Sequence, residues 1–267
     1  PPTSTPLYSS AASDVYKRQL HWGPEIRCPE IRIESDCHAN MIWSPQLRKY
    51  IGIVRHYDKF PVVGNRKIAR TESLDAVKWT RSTLAIEGSP QLQTHDMVIF
   101  RAGRVFLGLL GMMRYPSLKS RQGVRQHIEL AWSPDSTTWH RICPGTPLVG
   151  HTAAEEKKYG AMPCDWGAMF PSTPVILDRE IRIYYGASDW YFFDWRKGGL
   201  ALATLRPDGW AGFEPAAADR PASITTAPLP CSGDPLRLSA DVSGNGTIRV
   251  ALLDQDNNCL LYTSDAA

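Results

Sequence analysis

Three aspartates stand at similar points of a repeating pattern, and carboxylates in such an arrangement could perform acid–base chemistry. The repeating pairs are 39, 39 and 43 residues apart, and they are Asp36 with Asp75, Asp96 with Asp135, and Asp165 with Asp208. Glycoside hydrolysis needs two carboxyl groups across a small cavity, because one protonates the leaving oxygen while the other attacks the anomeric carbon or activates water. The spacing therefore favours sugar chemistry with Asp36, Asp96 and Asp165 as catalytic residues, and it leaves open which is acid and which is base.

Polar and aromatic side chains near these aspartates are candidates for substrate binding. They are His38, Asn40, Arg55, Arg70, His95 and Trp166. His38 and Asn40 share a strand face with Asp36, because side chains alternate along a strand. Two alternatives stay open: the aspartates could cap strand starts, and the arginines could form structural ion pairs. The aromatic segment SDWYFFDWRKG (188–198) could be either a sugar platform or a hydrophobic plug between sheets.

Several other chemistries lack their sequence signatures. The chain contains no G-x-S-x-G, G-x-x-x-x-G-K-[ST], H-E-x-x-H or G-x-G-x-x-G motif, which argues against serine-elbow hydrolases, nucleotide chemistry and metalloproteases. The cysteines form no C-x-x-C pair and no cluster with zinc spacing, so free thiols are expected. We therefore expect neither a metal nor a cofactor.

The composition is close to electrical neutrality. The formal net charge is +3, which favours neither nucleic acid nor an anionic membrane as the main partner. A run of about 18 apolar residues, which a membrane-spanning helix needs, does not occur. A carbohydrate is the expected partner. The compartment stays open, and secretion or a periplasmic location is compatible with the sequence.

Short β-type runs separated by Asp, Gly, Pro and Asn dominate the chain, so each repeat is predicted to form a four-stranded antiparallel blade. The expected strands are 41–43, 49–55, 66–73 and the Trp79 segment; 97–100, 104–112, 127–133 and 138–142; and 169–177, 180–187, 199–205 and 210–213. The element S-x-D-x-x-x-W is expected to turn into the outermost strand. Its Asp would accept backbone hydrogen bonds, and its Trp would be buried.

The two ends of the chain differ from the rest in their sequence pattern. Residues 1–19 and 259–267 resemble translated sequencing adapter and are predicted to be non-native tails. Residues 20–215 would hold the blades, and 216–258 a linker and the start of a C-terminal β-sandwich. Within the latter, Asn245–Gly246 predicts a hairpin turn. Since propellers need four to eight blades, the three repeats predict an incomplete ring.

Five segments together resemble a known family. They are DCHANMIWSPQLRKYIGIVR (36–55), RKIARTESLDAVKW (66–79), IELAWSPDSTTWHRI (128–142), IRIYYGA (181–187) and GLALATLRPDGW (199–210). In order and spacing they are similar to bacterial five-bladed β-propeller proteins related to the invertase, levansucrase and arabinanase glycoside hydrolases. The resemblance implies a propeller that continues into a β-sandwich. The invertase-type motifs W-M-N-D-P-N-G, R-D-P and E-C are absent from the sequence.

The sequence thus predicts an all-β protein: an incomplete five-bladed β-propeller, of about three blades plus part of another, followed by a truncated β-sandwich. The predicted function is hydrolysis of a polysaccharide or oligosaccharide by paired carboxylates. The first alternative is a non-catalytic carbohydrate-binding propeller. The second is a protein-interaction propeller in which the aspartates are only structural.

Overall fold

The structure is a computed structural model, and part of the chain is described in it. The described residues are 26–31, 39–57, 65–151, 163–217, 219–229, 235, 237–242, 244 and 246–262. Asp36 and His38 lie outside them. Contacts divide the chain into one unit that ends at Thr204 and a second that begins at Leu205. Across the described residues, every regular element is a β-strand, and no helix is present that could cross a membrane.

Two four-stranded antiparallel sheets follow each other in the first unit. The first sheet contains β1 (Asn40–Ser44), β2 (Lys49–Tyr57), β3 (Arg66–Ser73) and β4 (Thr83–Glu87), and the second contains β5 (Leu92–Ala102), β6 (Val105–Arg114), β7 (Arg125–Ser133) and β8 (His140–Arg141). In both sheets the strands are hydrogen-bonded in chain order. Each sheet is therefore a simple meander, as predicted for a propeller blade.

The third sheet differs from the first two at both of its edges. Its first strand is divided into β9 (Ala168–Pro171) and β10 (Val175–Ile176), which both pair with β11 (Ile181–Ser188). On its other side, β11 pairs with β12 (Gly198–Leu205). The predicted strand at 210–213 is wrong, because these residues form no strand. The turn before it takes a different path, in which the backbone N–H of Gly209 donates to the carbonyl oxygen of Arg206.

The second unit contains a hairpin at a different place from the predicted one. β13 (Ala251–Leu253) pairs with β14 (Cys259–Tyr262), whereas the described residues before Asn245 form no strand. Asp254 explains the position of the turn, since its carboxylate accepts hydrogen bonds from the backbone N–H groups of Asp256 and Asn258. The hydrogen bond from the Asn258 side chain, together with these two backbone bonds, holds the pKa of Asp254 below its ordinary value. The described hairpin thus closes through an Asx-type turn at Asp254, and Asn245 of the predicted turn lies outside the described residues.

A shared apolar core holds the first two sheets together. It consists of Ile51, Ile53, Ile68, Ile86, Met97, Ile99, Phe106, Leu110, Met112, Ala131 and Trp139, all of which are buried. The innermost strand β5 contacts all four strands of the preceding sheet, and β9 contacts β6 and β7. Successive meander sheets packed in this way are the arrangement of propeller blades, so the predicted all-β, propeller-type fold is confirmed. The four described cysteines are free thiols.

The S-x-D-x-x-x-W turns of the first two sheets contain the same hydrogen bonds. Oδ1 of Asp135 accepts from the backbone N–H groups of Thr137 and Thr138 at 2.8 Å each. In the first sheet, Oδ1 of Asp75 accepts the equivalent hydrogen bonds from the backbone N–H groups of Val77 and Lys78. Hydrogen bonds from Thr137 and Thr138 lower the pKa of Asp135. The structural role predicted for these two aspartates is therefore confirmed.

Each turn also places a tryptophan over a glycine of the second strand. A Cβ on Gly52 would lie 2.9 Å from the Trp79 ring, and a Cβ on Gly108 would lie 3.2 Å from the Trp139 ring. The indole N–H of Trp139 donates to the carbonyl oxygen of Ser136 at 2.8 Å. A side chain at either glycine would press on the indole and on one more side chain, Thr71 at Gly52 and Met97 at Gly108, so each tryptophan packs directly on its glycine.

Replacing Asp135 tests the turn. We expect Asp135→Ala to lower Tm by about 2–4 °C, the shift that about 1 kcal/mol produces in a domain of this size, because the turn loses its acceptor. Asp178→Ala, in the exposed β10–β11 turn, is the control and should leave Tm unchanged. Differential scanning calorimetry on both variants decides the matter, and equal Tm values would contradict the role of Asp135.

Candidate functional site

Asp96 lies inside β5 and not at its start, because β5 begins earlier than predicted. The register of β5 against β6 shifts between Thr94 and Asp96, so His95 is the extra residue of a β-bulge. Neighbouring side chains of a regular strand point to opposite faces. Here the bulge lets Nδ1 of His95 donate to Oδ1 of Asp96 at 2.8 Å. The Asp96 side chain is completely buried.

Positive charges and aromatic rings surround this His95–Asp96 pair. Burial is the largest cause that lowers the pKa of His95; the hydrogen bond and charge of Asp96 oppose it, and the charges of Arg55 and Arg66 add to it. The imidazole packs edge-on against Phe192, with 5.1 Å between the ring centroids. His95 is therefore neutral at neutral pH, and its contact with Asp96 is a hydrogen bond.

Gln126 connects this buried pair to the third sheet. Its side-chain Nε2 donates to Oδ1 of Asp96 at 3.0 Å and to the carbonyl oxygen of Met169 at 2.8 Å. Its backbone N–H donates to the carbonyl oxygen of Gly167. Both partners of Nε2 are acceptors, which fixes the orientation of the amide. Oε1 of Gln126 is buried without a hydrogen-bond partner among the described residues.

Asp165 has a different environment from Asp96. Nε2 of His151 donates to its Oδ1 at 2.7 Å, and the hydroxyl of Tyr185 donates to its Oδ2 at 2.7 Å. Burial raises the pKa of Tyr185, and the hydrogen bond and charge of Asp165 raise it further, so the tyrosine keeps its proton. The Asp165 side chain is 16% exposed. It is thus more accessible than Asp96.

A cleft of about 230 Å³ lies between the second and third sheets. Its wall is formed by Arg114, Arg125, Gln126, His127, Gly145, Thr146, Pro147, His151, Trp166 and Met169. Three of these side chains are hydrogen-bonded to a carboxylate: Gln126 to the buried Asp96, His127 to the buried Glu129, and His151 to the partly exposed Asp165. The acids therefore orient the groups that face the cleft.

Glu129 is the carboxylate that the sequence analysis did not include. Its Oε1 accepts from Nε2 of His127 and from the backbone N–H of Gly145, and its Oε2 accepts from Arg141. Burial alone would raise the pKa of Glu129, but hydrogen bonds from His127 and Arg141 and the charges of both hold it below its ordinary value. Glu129 therefore remains ionised and fixes His127 and the loop at Gly145.

The other predicted binding residues lie between the first two sheets. Oδ1 of Asn40 accepts from the backbone N–H of Ile99 at 2.9 Å. Arg70 donates to the hydroxyl of Ser136 and forms an ion pair with Glu72. Arg55 is almost fully buried. Of the predicted binding residues that the structure describes, which exclude His38, Trp166 alone belongs to the cleft wall.

Two cleft residues that were not predicted, Arg125 and His127, had a signal in the sequence. Together with Glu129 they alternate in the strand RQHIELAWS, so the three share one face of β7. Polar residues at every second position of an otherwise buried strand indicate a functional face. His151 had no such signal, because it reaches the cleft from a loop.

The aromatic segment 188–198 packs mainly between sheets. Phe192 and Phe193 pack against the buried cluster of Met113, Tyr115 and Val124. Its Trp195, in contrast, is 94% exposed. Of the two predicted alternatives for this segment, Phe192 and Phe193 therefore form the hydrophobic plug between sheets. In the described part of the chain, no group of three His, Cys, Asp or Glu residues could hold a metal ion.

Gly111 gives a direct test of the Asp96–Gln126 hydrogen bond. A Cβ at Gly111 would lie 2.2 Å from Oδ1 of Asp96 and 2.7 Å from Nε2 of Gln126, which would force the two apart. We expect Gly111→Ala to reduce the free energy of unfolding by about 1–3 kcal/mol. The control is Gly186→Ala in β11, where the nearest atom would be 3.7 Å away. If urea denaturation gave both variants equal stability, the tight packing at Gly111 would be refuted.

The pKa of His95 predicts a pH dependence of stability. Its pKa in the folded state lies below the value of 6.5 expected for the unfolded chain, so the unfolded state binds more protons as the pH falls below about 6.5. Stability should therefore be fully present above this pH and decrease below it. His95→Asn should flatten this dependence between about pH 5 and 7. Urea denaturation at several pH values measures both slopes, and identical slopes would contradict the assignment.

Comparisons with known proteins give distant structural matches only. No family model matches the chain, and no curated protein matches it. Among solved structures, it is similar to a glycoside hydrolase with a TM-score of 0.45 and 16% identity over 66% of this chain and 47% of the other. It is also similar to a family 117 glycoside hydrolase from Zobellia galactanivorans, with a TM-score of 0.46 and 14% identity over 62% and 51% of the two chains.

A third similar structure is a GH32 β-fructofuranosidase from Bombyx mori, with a TM-score of 0.42 and 12% identity over 61% of this chain and 32% of the other. The chain thus spans about half the length, or less, of the solved structures that it resembles. Their names agree with the glycoside hydrolase resemblance seen in the sequence. A likeness this distant does not transfer an activity to this chain.

Proposed function

We propose that the cleft between the second and third sheets binds a carbohydrate and that the protein hydrolyses a glycosidic bond there. The observation that supports this most is Gln126. Its buried Oε1 has no hydrogen-bond partner among the described residues, although Gln126 belongs to the cleft wall. A buried acceptor without a partner is costly, and a sugar hydroxyl would supply the missing donor.

The size and composition of the cleft also support a sugar. Its volume of about 230 Å³ lies just below the range of about 300–1,000 Å³ for drug-sized ligands, which suits a single sugar unit. Gln126, His127 and His151 contribute polar atoms at fixed positions, because each is hydrogen-bonded to a carboxylate. Such preorganised groups are typical of sites that recognise hydroxyls.

Asp165 is the proposed catalytic base. Its side chain retains some exposure, and both of its oxygens accept hydrogen bonds, from His151 and Tyr185. Donors on both oxygens suit a carboxylate that accepts a proton or attacks a carbon, and they do not suit an acid that donates. His151 lies in the cleft wall and would hold Asp165 in place.

The proposed role of Asp96 is to position Gln126, since the Asp96 side chain is fully buried and accepts a hydrogen bond from the Gln126 amide. The second carboxylate that hydrolysis requires is then Asp36, as the repeat predicts, and this assignment stays a prediction. An inverting reaction would need the two carboxyl groups about 6.5–9.5 Å apart, and a retaining one about 5–5.5 Å.

Binding without hydrolysis is the second candidate. It is favoured by the burial of Asp96 and Glu129, in which neighbouring side chains are hydrogen-bonded to Oδ1 of Asp96 and to both oxygens of Glu129. In that case the acids only orient the polar groups of the cleft wall.

Asp165→Asn separates the two candidates. The experiment measures oligosaccharide binding by isothermal titration calorimetry and reducing-sugar release from plant and microbial polysaccharides. For hydrolysis, we expect the variant to lose about 10²–10⁴-fold in kcat while its affinity changes less. Asp178→Asn, in the exposed β10–β11 turn, is the matched control and should keep full activity.

The outcomes are distinct. Binding by the wild-type chain without sugar release from any substrate would support the non-catalytic candidate. Undiminished release by Asp165→Asn would remove Asp165 from the mechanism. No binding of any glycan would contradict the proposed function as a whole.

A further inference from the structure

The loop between β11 and β12 emerges beside the candidate site. Ser188, the last residue of β11, pairs with Ala168, the first residue of β9. Because antiparallel pairing places the end of one strand beside the start of the other, the loop after Ser188 and the segment before Ala168 lie at the same edge of the third sheet. That segment contains Asp165 and Trp166. The aromatic residues of the loop therefore begin close to the cleft.

Gly167 allows the loop to lie directly on this segment. Its backbone N–H donates to the carbonyl oxygen of Ser188 at 2.8 Å, and a Cβ at Gly167 would overlap the carbonyl oxygen of Trp190. In this arrangement the rings of Trp190 and Trp166 are neighbours, with 6.2 Å between their centroids. Trp166 belongs to the cleft wall, so Trp190 continues the aromatic surface of that wall.

Trp190 and Trp166 differ in how much of the ring a ligand can reach. The guanidinium carbon of Arg125 lies over the Trp166 ring, 4.5 Å from its centroid, and Tyr191 packs edge-on against the same ring at 5.0 Å. Trp166 is partly buried, whereas Trp190 is 38% exposed. Trp190 therefore presents an exposed aromatic surface next to the cleft wall.

The loop holds Trp190 in place from both sides. On one side, the backbone N–H of Asp189 donates to the carbonyl oxygen of Lys197, and Oδ1 of Asp189 accepts from the backbone N–H of Lys197 at 2.8 Å. On the other side, the backbone N–H of Phe192 donates to the carbonyl oxygen of Val124 at 2.8 Å, and the Phe192 ring packs in the plug between the sheets. A surface that is fixed in advance loses little conformational entropy when a ligand binds.

We propose that Trp190 is a platform for a second sugar unit, next to the unit that binds in the cleft. This inference rests on the proposed carbohydrate site, and it specifies the substrate as a chain of at least two sugar units. The cleft volume of about 230 Å³ suits a single unit, so the next unit of a chain lies outside it. A sugar ring has an apolar C–H face and hydroxyls at its rim. An exposed indole buries the apolar face while the hydroxyls remain in water.

Binding measurements with sugars of increasing length test the platform. Isothermal titration calorimetry on the full chain compares mono-, di- and trisaccharides of galactan, arabinan, xylan and polygalacturonate. In at least one series, we expect the disaccharide to bind about 10-fold more tightly than the monosaccharide, because the second unit buries apolar surface on Trp190.

Variants of two tryptophans in the same loop show whether Trp190 causes this gain. Trp190→Ala should remove the gain and leave the affinity for the monosaccharide unchanged, which also shows that the cleft is intact. Trp190→Phe keeps an aromatic face and should retain most of the gain. Trp195→Ala is the matched control and should retain all of it. Trp195 is 94% exposed, and no ring of the described part of the chain packs against it.

Four results would overturn the inference. They are equal affinity for mono- and disaccharides in every series, an unchanged gain in Trp190→Ala, an equal loss of the gain in Trp195→Ala, and a loss of monosaccharide binding in both Trp190 variants. The last result would make Trp190 a support of the cleft wall. In each case the proposed carbohydrate site remains, because the wild-type chain still binds sugar. A wild-type chain that binds none of these glycans would instead contradict the proposed function.

Discussion

The hydrogen bonds of Gln126 are the constraint on which the candidate site depends. One amide group joins the carboxylate of Asp96, buried in the second sheet, to the backbone of the third sheet at Met169. Because the two acceptors take both amide protons, the side chain has a single orientation. The gap between the sheets, where the cleft lies, is thus set by a polar contact in addition to apolar packing.

The three repeats share a scaffold but not a chemical environment. The turns at Asp75 and Asp135 contain nearly identical hydrogen bonds. In contrast, Asp96 is buried beside a histidine of a bulge, whereas Asp165 lies between a loop histidine and a tyrosine. Repetition therefore constrains the residues that hold each sheet. The residues near the inner edges have diverged, which is what a single asymmetric binding site requires.

The scaffold could be predicted from the sequence because its determinants are local. The alternation in RKIARTES gives β3 its observed bounds of Arg66 and Ser73, and the S-x-D-x-x-x-W pattern specifies a turn through neighbouring N–H groups. The cleft could not be predicted in the same way. His151 lies in a loop and Gln126 in β7, and only the folded chain brings both to one cleft; the bulge at His95 arises from the pairing of β5 with β6.

The packing of a tryptophan on a glycine has a consequence for how the sequences of such sheets can change. Gly52 beneath Trp79 and Gly108 beneath Trp139 leave no room for even a methyl group. Substitution in these copies is thus limited at two positions together: the tryptophan after the turn and the glycine of the second strand, which has no side chain. Further divergent copies of the unit should therefore be recognised by a glycine in the second strand. The acidic residue of the turn can be replaced more freely than this glycine, because a side chain at the glycine has no space.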